Sequence, residues 1–573
     1  MTLIVRSLIL FLCVCPLAAL AQAQSELEAH LAGSGLESLS VPEGFTVEIA
    51  AGPELASYPM FMAFDDEGRM YIAESSGLDM TGRDMVTHPE CMILRLEDVD
   101  GDGVYDKRTV FADKLSFPMG VLWHDGSVYV ASPPELLRFD DTDGDGVADG
   151  RHVLLTGWNM FNSASLHGPI LGPDGWLYLT HGRHGYKIET WEGEVLEGLA
   201  SRVWRCRLDG TQLERVAGGG FDNPIEVVWG ATGDMFGTMT YITDPRNGQR
   251  DALLHYIEGG VYPKWHESTS EFTQTGDLLP PLTRFARIAP SGLDRYRSEV
   301  FGAGYTDNLF SAQFNPHRVQ RHVLTRDGAT YRCEDSDFLT STFPHFHPTD
   351  VIEDADGSLL VSDTGGWYVD ACPISRIAMP QVRGTIYRVR KDGAPRVDDP
   401  WGRNVNWAAA NAATLTDLLG DSRLRVQDHA VERLIALGDG ATSSLSELTA
   451  NTGAVPAARI AAVQALARIA TPDALAAVRE ALGDTTPELQ AAAARTVVMT
   501  RDPMALFDLL PLLHSDQPWV RRQTAEALSH LRDPIAVTAL LDAAAHAADR
   551  FEEHSLIYAV IQTADVVQVR VRL

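Results

Sequence analysis

The sequence predicts an all-β six-bladed propeller followed by an all-α HEAT-type solenoid, on two observations. The first is a recurring phrase between residues 42 and 392, in which a turn with an acidic residue and glycine leads into an alternating strand. The second is an abrupt change to alanine- and leucine-rich texture, with prolines at regular intervals, over residues 405–573.

The phrase reads Asp66-Glu-Gly68-Arg-Met-Tyr71, His124-Asp-Gly126-Ser-Val-Tyr129, Pro173-Asp-Gly175-Trp-Leu-Tyr178, Thr232-Gly233-Asp-Met-Phe236 and Asp356-Gly357-Ser-Leu-Leu. The last interval is about twice the others, and Asp307-Asn-Leu-Phe310 fills it as a degenerate copy. Six units of this size, each with a turn and period-two strands, point to a propeller rather than a sandwich. In the second region Pro456, Pro487 and Pro518 fall 31 residues apart, with Arg425 one period earlier. Each proline precedes an amphipathic stretch, where its missing N–H costs a first helical turn nothing. A two-helix period of that length is a short HEAT-type solenoid, which usually presents a surface for a protein partner. The closing Val567-Gln-Val-Arg-Val-Arg-Leu573 reads as an array without a capping helix.

A chain of 573 residues exceeds one core and fits two or more domains. The net charge of -31 excludes nucleic acid as a partner and suits a protein working with calcium. Residues 1–23 read as a signal peptide: Arg6 precedes the apolar run Leu8 to Leu20, and Ala19-Leu-Ala21 or Ala21-Gln-Ala23 offers a cleavage site. The run is too short to span a bilayer comfortably. The expectation is export, to the periplasm or the extracellular space. Cys13 and Cys15 would leave with the signal, and the lipoprotein pattern before a cysteine is absent. Cys91, Cys206, Cys333 and Cys372 remain, with three disulfide pairings open to them. Their scatter argues against a zinc site. The chain has no C-x-x-C-H, so it carries no covalent haem.

Two acidic loops are near-copies: Asp98-Val-Asp100-Gly-Asp102-Gly103-Val-Tyr-Asp106 and Asp141-Thr-Asp143-Gly-Asp145-Gly146-Val-Ala-Asp149. Alternating carboxylates repel unless a hard cation gathers them, and glycine at position six permits the turn around Ca²⁺. Position twelve holds Thr109 and His152 instead of glutamate, so these are not helix–loop–helix sites. Each follows one candidate strand and precedes another, which makes them calcium clasps on blade hairpins at the rim.

Propellers place chemistry at the mouth of the central channel, on loops from several blades. The polar clusters there are Ser165-Leu-His167-Gly, Thr180-His181-Gly-Arg183-His184, Asp222-Asn223-Pro224, Asn315-Pro-His317-Arg318-Val-Gln-Arg321-His322 and His345-Phe-His347. A neutral imidazole serves as general base, and arginine holds carboxylates with forked hydrogen bonds. A single loop histidine more often plays a structural part, so convergence of these loops is what matters.

These motifs, with Leu171-Gly-Pro-Asp-Gly-Trp-Leu-Tyr178, His347-Pro-Thr-Asp350, Thr364-Gly-Gly-Trp367 and Gly384-Thr-Ile-Tyr387-Arg, resemble the soluble quinoprotein glucose/sorbosone dehydrogenase class. More closely, they resemble the membrane-bound dehydrogenase domain of planctomycete multidomain proteins, which is followed by HEAT repeats. The resemblance implies oxidation of a sugar or other alcohol, with His167 as the base. It implies pyrroloquinoline quinone as cofactor, held by Asn223 with Arg183, His317, Arg318 or Arg321. It also implies a c-type cytochrome as electron acceptor, here on a separate protein. The family pattern has arginine where this chain has Asp222, a negative charge where an anionic quinone needs a positive one. The competing expectation is a non-catalytic propeller that binds glycan or protein, with the solenoid as a docking arm.

Overall fold

The computed structural model describes residues 35–160, 166–244, 248–368 and 377–564. Residues 1–34, and with them the expected signal peptide, lie outside the described residues, as do Cys372 and residues 565–573.

Six antiparallel sheets follow one another around a ring. Blade 1 comprises Pro59–Phe64, Met70–Glu74, Cys91–Glu97 and Lys107–Leu115, and blade 2 comprises Val121–His124, Ser127–Ser132, Glu135–Asp140 and Gly150–Thr156. Blade 3 comprises Leu166–Leu171, Leu177–His181, Ser201–Cys206 and Glu214–Gly219. Blade 4 comprises Asn223–Trp229, Met235–Asp244, Gly248–Tyr256 and Thr283–Phe285, and blade 5 comprises Pro290–Arg295, Leu309–Gln313, Arg318–Asp327 and Thr330–Ser341. Blade 6 takes Pro348–Glu353, Leu359–Asp363 and Thr385–Lys391 from late in the chain, and its outer strand is the early segment Phe45–Ala51. That pairing joins the two ends of the propeller and removes the free edges an open ring would expose. The first strands of successive blades touch in turn, from blade 1 round to blade 6 and back.

The repeated phrase has a clear structural meaning. Each glycine turn joins the first and second strands of its blade, and Gly68, Gly126, Gly175, Gly233 and Gly357 all have positive φ. Opposite the second-strand residue that follows stands a third-strand basic residue in all six blades: Tyr71↔Arg95, Tyr129↔Arg138, Tyr178↔Arg205, Phe236↔His255, Phe310↔Arg321 and Leu360↔Arg388. The fold therefore sets a basic residue opposite an aromatic one in five blades and opposite Leu360 in the sixth, a pattern that the glycine spacing alone did not reveal.

Antiparallel pairing sorts the connections onto two faces. First-to-second and third-to-outer turns share one face; second-to-third loops and blade-to-blade links share the other, the mouth face.

The helical region contains Leu424–Leu437, Asp439–Ala450, Pro456–Ile469, Pro472–Leu482, Pro487–Thr500, Pro518–Leu531, Val537–Ala544 and Arg550–Thr563, with short turns between. Pro456, Pro487 and Pro518 occupy first helical positions, as the spacing predicts. The first helices of successive pairs stack on one another around an alanine-rich core. They also pack on the propeller face opposite the mouth. Arg297 forks onto Asp428 at 2.8 and 3.0 Å, His429 Nε2 lies 2.8 Å from Asp66, and Arg522 reaches the carboxylate of Asp234 in blade 4. The solenoid is thus seated on the propeller rather than projecting as an arm.

Candidate functional site

His167 is the second residue of the inner strand of blade 3, where the register breaks before Ile170. Its Nε2 lies 2.8 Å from Asn223 Oδ1, the first residue of the next blade's inner strand. Both residues are buried, and His167 has no exposed surface. Burial pushes its imidazole down to about 4, partly offset by the Asn223 bond, so the ring is neutral at ordinary pH. Its Nδ1 has no hydrogen-bond partner among the described residues. Thr180, paired with His167 in the ladder, donates at 2.8 Å to the carbonyl oxygens of Pro224 and Ile225 and so fixes blade 3 against blade 4. His181, at the end of the same strand, is also fully buried and pushed down to about 3.

Beside this pair the structure corrects the electrostatic expectation for Asp222. Arg183 Nη2 and Nε lie 2.6 and 2.8 Å from Asp222 Oδ1, and Lys264 Nζ lies 3.3 Å from the same oxygen. Arg183 Nη1 also meets His266 Nε2 at 2.7 Å. One carboxylate faces two cations, so the ledge carries a net positive charge. Asp222 orients Arg183 rather than leaving bare negative charge.

Lys264 and His266 escape a reading of the sequence, because a long excursion brings them here. After the third strand of blade 4 the chain climbs the outer edge of blade 3 as Val261–Tyr262, paired in parallel with Glu214–Gly219. The one sequence signal was Gly218-Gly-Gly220. A Cβ on Gly219 would stand 2.3 Å from Tyr262 O, and one on Gly220 would stand 2.2 Å from Lys264 O. Only glycine admits so close an approach.

The remaining candidates do not join this ledge. His317 sits between the second and third strands of blade 5, its Nδ1 2.6 Å from Phe346 O and its ring 5.1 Å from that of His347. Burial pushes His347 down to about 4. Arg318 donates to Gln313 and, at 2.8 Å, to Asp337 on the outer strand of its own blade. Arg321 donates at 2.6 Å to Asn308 and lies 4.1 Å over the Tyr305 ring, on the solenoid side. Arg318 and Arg321 are therefore engaged within blade 5. Of the residues named with Asn223, Arg183 lies beside it through Asp222, where Lys264 joins it.

The acidic loops join the third and outer strands of blades 1 and 2. Their internal bonding is the same. Asp98 accepts from Gly101 and Gly103 N–H at 2.8 and 2.9 Å, and Asp141 from Gly144 and Gly146 at the same distances. Asp106 accepts from Val99 and Asp149 from Thr142, at 2.9 and 2.8 Å. Oxygens of Asp98, Asp100 and Asp106 converge within 4.8 Å, as do those of Asp141, Asp143 and Asp149. Asp102 and Asp145 accept from Val104 and Val147 N–H and stand outside those groups. A donor set made only of carboxylate oxygen fits a hard cation such as Ca²⁺. Each loop also leans on the preceding blade. Arg388 Nη2 donates to Gly103 O at 3.1 Å, and the Arg95 guanidinium fills the space where a Cβ on Gly146 would stand. Thr109 is taken up in the ladder with Arg95, and His152 Nε2 pairs with Asp140 at 3.0 Å, so neither twelfth residue returns to its loop.

Cys91, Cys206 and Cys333 are free thiols. Among the described residues no helix is long and apolar enough to cross a membrane.

Three solved structures resemble the propeller in fold. They are the quinone-bound aldose sugar dehydrogenase of Streptomyces coelicolor (17% identity, 61% of this chain and 100% of that one, TM-score 0.41), the quinone-binding domain of pyranose dehydrogenase from Coprinopsis cinerea (14%, 61% and 97%, 0.40), and the calcium structure of a family AA12 enzyme from Trichoderma reesei (12%, 62% and 98%, 0.43). No curated protein matches the chain. HEAT-repeat models match residues 452–517 and 483–560. Residues 32–391 match the model described as a domain of unknown function, DUF7133, and the chain belongs to that family.

Proposed function

We propose that the mouth of this propeller is a dehydrogenase-type site for a sugar or other alcohol, with His167 as the base that takes the hydroxyl proton of the substrate. The observation that carries this reading is the pairing of a buried, neutral imidazole, fixed through Nε2 by Asn223, with a cationic ledge of Arg183 and Lys264. The imidazole is unprotonated across the physiological range, so its free nitrogen is open to a proton. Arg183, Lys264 and Asn223 would hold the carboxylates of pyrroloquinoline quinone, which supplies the two-electron oxidation when bound. Asp222 aligns Arg183, and Asn223 sets the histidine tautomer so that Nδ1 carries the lone pair. Export past an inner membrane and transfer of electrons to a separate c-type cytochrome complete the reading. Ca²⁺ in the two acidic loops would act on stability.

The test is reconstitution of the purified chain with Ca²⁺ and pyrroloquinoline quinone, followed by dye reduction with a panel of sugars and alcohols. A quinone spectral change with turnover supports the proposal, and His167→Ala should then abolish turnover while the protein stays folded. The absence of both spectral change and turnover removes it. The alternative is a non-catalytic propeller that binds glycan or protein. It is favoured by one observation, the complete burial of His167, and it would be recognised by glycan binding without any quinone.

A further inference from the structure

Blade 5 holds a second donor set, apart from the acidic loops and from the mouth ledge. His322 and Asp335 stand directly opposite each other on the third and outer strands, and Cys333 opposes Leu324 two pairs further on. Residues 333 and 335 share one face of the strand, so the three side chains meet on one surface of the blade. His322 Nδ1 lies 2.7 Å from Asp335 Oδ1, and Cys333 Sγ lies 3.1 Å from the same oxygen. One ligand atom from each residue falls within a 4.8 Å group.

The surrounding groups orient these donors. His322 has no exposed surface; its Nε2 is held by Ser311 Oγ at 2.8 Å, and Phe285 packs on the ring at 5.6 Å. The second oxygen of Asp335 accepts from Thr283 Oγ1 at 2.7 Å, and Thr283 belongs to the outer strand of blade 4. Metal-binding histidines and carboxylates are fixed in this way, with the atom away from the ion tied to a second group.

A cysteine nucleophile would need the imidazole against the sulfur. Here the carboxylate stands between them, and burial, with the neighbouring Asp335, holds the Cys333 thiol above its ordinary value. That arrangement disfavours a free thiolate, and a divalent cation reverses it by taking the thiolate as a ligand. Donors bonded tetrahedrally at about 2.0–2.3 Å sit roughly 3.3–3.6 Å apart, so small outward shifts admit an ion.

We propose that His322 Nδ1, Cys333 Sγ and Asp335 Oδ1 bind a zinc-class divalent cation, with water at the fourth position. One thiolate and one imidazole select such an ion over Ca²⁺, which the all-oxygen loops suit. Binding releases the thiol proton to solvent and fixes the imidazole with its hydrogen on Nε2, toward Ser311. The ion would fasten the two outer strands of blade 5 and, through Thr283, the outer strand of blade 4. Cysteines scattered along the chain hid this site, because its ligands come from one hairpin and include a single cysteine.

The test uses the full chain, stripped with chelator and titrated with Co²⁺ as an optical stand-in for Zn²⁺. The expected result is one equivalent bound with a thiolate-to-cobalt charge-transfer band, lost on adding Zn²⁺ and unaffected by Ca²⁺. Cys333→Ser should remove the band in a protein whose circular dichroism is unchanged. Asp335→Asn should weaken Co²⁺ binding at least tenfold, whereas Asp98→Asn with Asp141→Asn should leave it intact. No band in the parent chain, or a band that survives Cys333→Ser, overturns the proposal.

Discussion

The seating of the solenoid on the propeller should depend on one buried carboxylate, and Asp234→Ala tests that dependence. Asp234 has 2% exposure and accepts from Arg522, from Gln523 at 3.0 Å, from Tyr331 at 2.6 Å and from Thr232 at 2.9 Å, with Arg326 3.0 Å away. Although burial would raise it, Arg326 and Arg522 hold this carboxyl well below the usual range. Removing it takes from Arg522, with 1% exposure, one of its two buried carboxylate partners, the other being Glu526 at 2.6 Å. Loss of one member of a buried pair costs about 3–5 kcal/mol. For a unit the size of the solenoid, at about 2–4 °C per kcal/mol, that is on the order of 10 °C in melting temperature. The comparison is Arg501→Ala, which removes a bridge to Glu214 from a side chain that is 48% exposed and should cost no more than about 1 kcal/mol. Differential scanning calorimetry of both variants, with limited proteolysis across residues 392–411, provides the readout. Asp234→Ala should split the transition and speed cleavage. Equal shifts in the two variants would refute the reasoning. The sign with pH follows from the depressed value: this stability is fully present above about 3.9 and is lost as pH falls below it.

Calcium should raise the melting temperature of chelator-stripped protein, and Asp98→Asn with Asp141→Asn should abolish that rise; loss of activity without loss of stability would contradict the clasp reading. Burial pushes the carboxyl of Asp363 up to about 7, while it accepts from the N–H groups of His347 and Gly365 at 2.8 and 2.9 Å. Its stabilising protonated form is fully present below about 3.9 and is lost as pH rises through 7. Asp363→Asn should therefore gain more in melting temperature, relative to the parent, at pH 8 than at pH 5, and equal gains would count against it. Asn223→Ala leaves the buried Nε2 of His167 without its acceptor and should destabilise by about 1–3 kcal/mol in urea unfolding. A shift below measurement error would mean that the bond contributes nothing.

The sequence by itself determined the fold class and the placement of the local devices. Glycine turns such as Asp356-Gly357 and the prolines at 456, 487 and 518 act within a few residues, through φ and a missing N–H. The acidic loops were legible for the same reason, since all their donors lie within nine residues. Long-range geometry was not legible. Only the tertiary structure assigned Phe45–Ala51 to the last blade, turned Arg321 toward the solenoid side and carried Lys264 and His266 to the mouth on a strand laid along blade 3. It likewise turned Asp222 from an unfavourable charge into the partner of Arg183 and Lys264. Periodicity fixes which strands form, whereas a site's charge depends on which side chains meet across blades, and that is decided by packing.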